Sequence, residues 1–445
     1  MRQIHLNAFD MACVGHIQQG MWTHPRDRSA EYDTLGAWTR LAQTLERGLI
    51  DGLFLADVLG AYDVYGGTPD AALRHAVQVP LLDPMMLVPA MAAVTQHLGF
   101  GVTVNLAYEQ PFTFARRMST LDQLTGGRIG WNIVTGYLDS AARAMGFTNQ
   151  MAHDDRYDLA DEFMYAVYAL WEHSWDETAV QRQPGQFTDP AQVRRVVHNG
   201  AQYRFDAMAL VAPTPQRTPV LYQAGSSDRG RVFAGQHAEC VFVNGGSKMA
   251  VARLVADLRA RAAPRPIRVF VGATPVLART TAEAQALLAE YRAHSSTEGA
   301  LAHAAASLGI DFARYDWDQP VDASPTEAIR SNVESMTRQL GAGWTKRMLA
   351  DRFILGSRQP PVVGSPAEVA DELQAWVAEA DVDGFNLSRT VAPECWEAVV
   401  DLLVPELQNR GVYKTAYAPG TYREKLFAAG PRLAPPHPAA LARAS

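Results

Sequence analysis

The run Leu221-Tyr222-Gln223-Ala224-Gly225-Ser226-Ser227-Asp228-Arg229-Gly230-Arg231 gathers small residues, hydroxyls and a helix start in one place. Pro219 to Gln223 reads as a buried strand, and Ala224 to Asp228 supplies a turn and a helix N-cap. Arg229 to His237 reads as a short helix, followed by a second strand over Glu239 to Val243. A strand, a Gly/Ser turn and a helix start aim free backbone N–H groups and the positive helix end at one point. That suits an anion, most often phosphate. The residues alone leave a second reading open, an ordinary strand-to-helix turn in which glycine serves only tightness.

Other chemistry-bearing residues are scattered. Cys13 and His16 lie three apart. They read either as the polar floor of a pocket or as a buried thiol beside a hydrogen-bonded loop histidine. No convincing further ligands accompany them, so no metal site is expected. Asp57 ends an apolar run and could accept a ring N–H or simply cap the next helix. His153, Arg156 and Tyr157 open a long helix, where Arg156 either binds phosphate or sits in solvent offsetting Asp154 and Asp155. No Ser-His-Asp elbow, H-E-x-x-H or Walker motif appears, and no G-x-G-x-x-G follows a strand. A phosphate-bearing organic cofactor that does the hard chemistry itself would explain a polar set without a catalytic pair.

Bulk properties narrow the partners. The chain has 445 residues, 48% apolar and 20% charged, with a formal charge of −7, which fits a globular protein with a large core. No Lys/Arg-rich run occurs, so neither nucleic acid nor an anionic membrane is an expected partner. Three cysteines, Cys13, Cys240 and Cys395, argue for a reducing compartment and against a disulfide framework. The N-terminal residues lack a signal-peptide apolar region, and the most apolar window, Leu81 to Val94, is too short to span a bilayer. A cytoplasmic location is expected.

The elements that must position these residues alternate. Strands are expected at Ile4–Phe9, Asp51–Asp57, Leu98–Val104, Arg128–Val134, Pro219–Gln223, Glu239–Val243, Ile267–Val271 and Asp383–Ser388. Helical spacing runs over Tyr32–Arg47, Pro84–His97, Phe112–Leu124, Asp154–His173, Met249–Ala262 and Trp396–Gln408. Eight apolar strands separated by helices predict parallel pairing and a closed TIM (β/α)8 barrel, with chemistry at the carboxyl ends of the strands. Two connections, about 172–218 and 294–361, are too long for plain crossovers and are expected as insertions over the barrel mouth. Residues 1–414 then form one domain, and the proline-bearing segment 415–445 reads as an extended tail.

The chain resembles the bacterial-luciferase-like flavin monooxygenases, in the branch of nitrilotriacetate, dibenzothiophene-sulfone, dimethyl-sulfide and long-chain alkane monooxygenases. The matching segments are Asn7 to Met11, Cys13 to His16, Leu53 to Val58, Tyr62 to Tyr65, Arg116 to Asp122, Gly127 to Thr135 and His153 to Tyr157. They continue through Pro215 to Pro219, the run from Leu221 to Arg231, and Gly420 to Phe427. The resemblance implies a barrel that assembles as a homodimer or homotetramer. It implies reduced FMN from a separate NAD(P)H-dependent flavin reductase, and O2, giving a flavin hydroperoxide that oxygenates a small organic substrate. Carried over by position, Asp57, Thr103, Asn132 and Tyr157 contact FMN, and Ala224, Gly225, Ser226 and Ser227 hold its phosphate, with His153 and Arg156 nearby. The alkane enzyme's pocket corresponds to Cys13, His16, Tyr62, Gln78 and His303.

One departure matters. Where the alkane enzyme has His after its Val-Thr-Ser run, this chain has Thr135-Gly136-Tyr137, so an alkane substrate is in doubt. His16 or Tyr137 is expected to hydrogen-bond the distal oxygen of the hydroperoxide. Organosulfides and heterocycles, including flavins degraded as substrates, stand beside alkanes as substrate classes. Two other activities fit the same barrel: deazaflavin-dependent hydride transfer, and flavin binding without catalysis.

Overall fold

The computed structural model describes residues 2–225, 227–321, 336–337, 340–341, 343–355 and 360–444. Eight strands close a parallel barrel in sequence order. They are β1 (His5–Met11), β2 (Gly52–Ala56), β3 (Gly99–Asn105), β4 (Ile129–Val134), β5 (Val220–Gln223), β6 (Cys240–Val243), β7 (Arg268–Ala273) and β8 (Gly384–Ser388). The ring shuts where β1 pairs with β8, His5 beside Gly384 and Phe9 beside Ser388. Strands buried on both faces need continuous apolar runs, which is how they read in the sequence.

Helices cover the outside. The ones used below are α1 (Leu35–Arg47), α2 (Pro84–Ala93), α3 (Pro111–Thr125), α4 (His153–Tyr168), α5 (Asp228–His237), α6 (Lys248–Ala262), α7 (Thr297–Leu308), α8 (Pro366–Ala380), α9 (Tyr422–Phe427) and α10 (Pro438–Ala444). Local signals set their starts: the hydroxyl of Thr34 accepts from Ala37 N ahead of α1, and Asp83 accepts from Met85 N ahead of α2. Between barrel and helices, the fully buried Trp131 packs on Phe114, Phe163 and Trp171, with ring centroids 4.5, 6.0 and 6.4 Å away.

The two long insertions go to different places. The second leaves β7 at the carboxyl end, so it lies at the mouth and brings α7 there. Its base is a two-stranded parallel pair, Pro275–Leu277 with Val362–Gly364. The first follows the C-terminal end of α4, which is the opposite end of a crossover. It forms two hairpins, Val180–Gln183 with Gln186–Thr188 and Val196–Asn199 with Arg204–Ala207, and lies along the flank of α4, where His198 meets Glu162 at 3.1 Å. It therefore does not cover the mouth.

The tail also departs from the expectation. A capping box between Thr421 and Glu424 starts α9, and α10 packs against the end of α4. Tyr422 enters the amino end of the barrel, its hydroxyl against that of Tyr222 at 2.5 Å. Gly99 makes room for it, since a Cβ there would sit 2.4 Å from the Tyr422 ring. Prolines made the segment look extended, but the cap and one anchoring aromatic fold it back onto its own barrel.

Candidate active site

The carboxyl ends of β1, β2, β6, β7 and β8 surround a cavity of about 180 Å³. His16 lines it from the loop after β1, 3% exposed, its ring edge-on to Phe9 at 4.6 Å. Its Nδ1 is buried without a partner. Burial holds its pKa well below the ordinary histidine value, and the Arg389 guanidinium and His303 add to that. His16 is therefore a neutral imidazole.

Four more of the expected residues meet it. The Tyr62 hydroxyl lies 2.7 Å from Gln78 Oε1, which accepts from it, and 2.6 Å from the Tyr137 hydroxyl. Gln78 Nε2 donates back to the His16 carbonyl at 3.2 Å. His303, on α7, stacks on Tyr62 with centroids 5.7 Å apart and planes 15° from parallel. His16, Tyr62, Gln78, Tyr137 and His303 thus form one cluster.

Cys13 stands apart from it. The residue lines a different cavity, about 570 Å³, between α1 and the segment 389–397. Its Sγ donates to Gly15 O at 3.4 Å, and burial pushes the thiol far up, so no thiolate forms there.

The residues expected to contact the cofactor stand on and after β2, β3 and β4. Asp57 lines the cavity, and burial pushes its carboxyl up to about 7, with the Val58 N–H opposing and Asp83 adding. Asn132 Nδ2 donates to Thr103 Oγ1 at 2.9 Å from adjacent strands. Asn132 Oδ1 is buried with no partner, which leaves an acceptor for something the chain does not supply.

Beyond β5 the anion turn takes shape. Ser227 caps α5, its Oγ accepting from Gly230 N at 3.1 Å. A Cβ at Gly230 would meet the Tyr157 hydroxyl at 2.8 Å and Ser227 Oγ at 2.9 Å, and one at Gly225 would meet Gln223 Nε2 at 2.3 Å. Ala224 precedes this close-packed turn, and Ser226 lies outside the described residues. His153 begins α4, edge-on to Tyr157 at 5.3 Å and paired with Asp154 at 2.7 Å. Tyr157 and Arg229 stack at 5.5 Å, and Arg229 pairs with Asp158 and Asp161.

Arg156 is held by the neighbouring loop. Its Nη1 donates to the Gly136 carbonyl and to Gln150 Oε1, and Gln150 Nε2 donates to Tyr137 O at 3.0 Å. The guanidinium clamps the loop that carries Tyr137.

Two residues escaped the sequence reading. Arg389 donates to the carbonyls of Cys13 and Val14 at 2.9 and 2.8 Å and faces Asp10 at 2.6 Å, fixing the loop that carries His16. It sits immediately after β8, so a survey of mouth positions carried past the sixth strand would have reached it. Gln19 is fully buried and donates to the His16 carbonyl at 2.7 Å. No sequence signal marked it.

A parallel barrel with a helix-start anion turn and a polar mouth belongs among cofactor-dependent TIM-barrel enzymes. The family described as luciferase-like monooxygenase matches residues 11–384, and the chain belongs to that family. It is 44% identical over 448 residues to dimethyl-sulfide monooxygenase of Hyphomicrobium sulfonivorans, covering 99% of this chain and 93% of the relative. It is 45% identical over 436 residues to long-chain alkane monooxygenase of Geobacillus thermodenitrificans, covering 96% and 95%. A crystal structure of riboflavin lyase with modified FMN and riboflavin superposes with a TM-score of 0.94 at 38% identity, covering 100% of both chains.

Proposed function

We propose that the protein is the oxygenating half of a two-component system that acts on a small, heteroatom-bearing organic substrate. The class is that of its relatives, FMN-dependent monooxygenases that use reduced FMN and O2 and depend on a partner flavin reductase. When bound, the reduced flavin supplies the electrons and activates O2. The observation that carries the reading is the buried, unpartnered Asn132 Oδ1 on β4, together with Asp57, His16, Tyr62, Gln78, Tyr137 and His303 lining one cavity at the carboxyl ends of the strands.

Asp57, Thr103 and Asn132 would hold the ring edge of FMN. Tyr157, Ala224, Gly225, Ser226 and Ser227 would hold its phosphate at the start of α5, with His153 at the rim. Arg156 holds the Tyr137 loop through Gly136 O and Gln150 with its Nη1, and its other N–H groups would serve the phosphate, as the resemblance implies. The cluster keeps its protons in place: a neutral His16 and paired phenols donate hydrogen bonds without adding charge to a dry site.

An organosulfide or a heterocycle is proposed over a long-chain alkane on Tyr137, which lines the cavity and stands where the alkane enzyme's pattern has a histidine. His16, Tyr62, Gln78 and His303 match that enzyme's pocket and do not discriminate. The buried cysteines of the chain support a reducing, cytoplasmic setting.

The test supplies reduced FMN through a flavin reductase and O2 enriched in oxygen-18, with dialkyl sulfides, heterocycles including riboflavin, and alkanes offered in parallel. One labelled oxygen atom in a sulfide or heterocycle product is the expected result. Hydride transfer from a reduced deazaflavin without O2 uptake would instead establish the alternative activity. Turnover confined to alkanes would overturn the substrate class. Tyr137→His should raise alkane turnover relative to sulfide turnover, and an unchanged ratio removes Tyr137 as a determinant.

A further inference from the structure

The start of α5 is tied to α4 by a side chain outside the expected cofactor contacts. Arg229 is the second residue of α5, two positions past Ser227. Its guanidinium stands 5.5 Å from the centre of the Tyr157 ring. Its Nη2 donates to Asp158 Oδ1 at 2.9 Å and to Asp161 Oδ2 at 2.6 Å. Asp161 lies four positions past Tyr157, so ring and carboxylate share one face of α4 and the guanidinium bridges them. The Tyr157 hydroxyl in turn bonds the side chains of Ser227 and Gln223, at the turn itself.

Two carboxylates beside an anion turn work against it unless a cation offsets them. Burial pushes the Asp161 carboxyl up, but hydrogen bonds from His237 and Arg229 outweigh that and hold it below the usual carboxylate range, so it is ionised. His237 Nε2 donates to Asp161 Oδ1 at 3.0 Å. Burial keeps the pKa of that ring below the ordinary histidine value, so at neutral pH it brings no charge to Asp161. Arg231 and Arg261 pair with Asp228 and Asp257. Among the described residues, the arginine that pairs with Asp158 and Asp161 is Arg229.

We propose that Arg229 is a positioning residue that makes this site select a flavin bearing a phosphate, by steadying Tyr157 and by offsetting Asp158 and Asp161. This role rests on the reading of the turn as the phosphate site of FMN. A cation over an aromatic face and a shared pair of carboxylates fix the guanidinium from two directions. Without it, the two carboxylates would repel a phosphate dianion bound at the start of α5. Phe233 and His153 also pack on the Tyr157 ring, at 5.6 and 5.3 Å, so a variant at Arg229 keeps that ring buried.

The experiment titrates the full chain with FMN and, separately, with riboflavin, which lacks the phosphate, and follows flavin fluorescence. The wild type should hold FMN more tightly. Arg229→Met should weaken FMN about tenfold, the scale of one charge-assisted contact, and leave riboflavin within about twofold. Arg229→Lys, which keeps a cation over the ring, should stay within about threefold of the wild type for FMN. Adding Asp161→Asn to Arg229→Met removes one uncompensated carboxylate and should restore severalfold of the lost FMN affinity. Equal weakening of both flavins would make Arg229 a brace of the fold and overturn the proposal. So would a double variant without recovery, since a direct bond from Arg229 to the phosphate could not be rescued at Asp161. A wild type with no preference for FMN would speak against the phosphate reading of the turn. A preference that survives Arg229→Met leaves that reading standing and removes Arg229 from it.

Discussion

Asp57 shows how a buried carboxyl weighs on the chain that holds it. Burial keeps its proton on up to about pH 7, whereas an unfolded aspartate releases it near about 4. Between those values the folded chain binds more protons than the unfolded one, so stability falls as pH rises from about 4 to 7. Asp57→Asn removes the titration. The flavin-free variant should therefore gain Tm on the wild type as pH climbs through that window, and a gap that shrinks instead would refute the assignment. Gln19 shows the limit of reading single residues from sequence: it is polar, buried and placed on an irregular loop with no period to betray it. Gln19 meets His303 across a separation of 284 positions. Contacts of that kind are made by the fold and have no local signature, so Tyr62, Gln78 and His303 came through the family likeness and Gln19 did not come at all.

Elements were far easier to read. β3, expected at Leu98–Val104, runs over Gly99–Asn105, and β8, expected at Asp383–Ser388, runs over Gly384–Ser388. Continuous apolar runs bounded by glycine or aspartate leave little choice of register. Helix ends were less secure. α2 stops at Ala93 and not near His97, because Val94 leaves the helical ladder and the hydroxyl of Thr95 turns back to Met91 O at 2.8 Å. The turn between β5 and α5 is the element on which cofactor affinity should depend. Gly225→Leu would drive a side chain into the Gln223 amide. Fluorescence titration should show FMN affinity reduced at least a hundredfold, with the far-ultraviolet circular dichroism of the fold kept. Tight binding by that variant would separate the turn from the phosphate.

At the scale of the molecule, the tail is part of the barrel. Arg423 and Glu239 are both buried, with Nε and Oε1 2.7 Å apart, and Arg423 also donates to the carbonyls of Thr218, Pro219 and Pro431. Breaking such a pair leaves one charge uncompensated, a cost of about 3–5 kcal/mol. Arg423→Met should lower the denaturant midpoint accordingly, and an effect below about 1 kcal/mol, the scale of an exposed pair, would show the tail to be dispensable. Composition could not have announced this. Prolines speak for extension, and the capping box and Tyr422 that overrule them act only once a barrel floor exists to receive them. No helix among the described residues is long and apolar enough to cross a membrane. Light scattering of the purified chain tests the dimer or tetramer that the family likeness implies.

The parallel pair at the base of the second insertion, Pro275–Leu277 beside Val362–Gly364, brings the two ends of a long excursion side by side. A barrel receives such an excursion as it would a short hairpin, since the span between its ends is fixed whatever lies beyond. The second insertion is thus a cassette on a common socket. Evolution can exchange it, and so can an engineer, without touching the eight strands of the barrel. Grafting the corresponding segment of dimethyl-sulfide monooxygenase onto this socket should move substrate preference toward that enzyme's while flavin affinity stays within a fewfold. A chimera that loses flavin would mean that insertion and barrel were inherited as one piece.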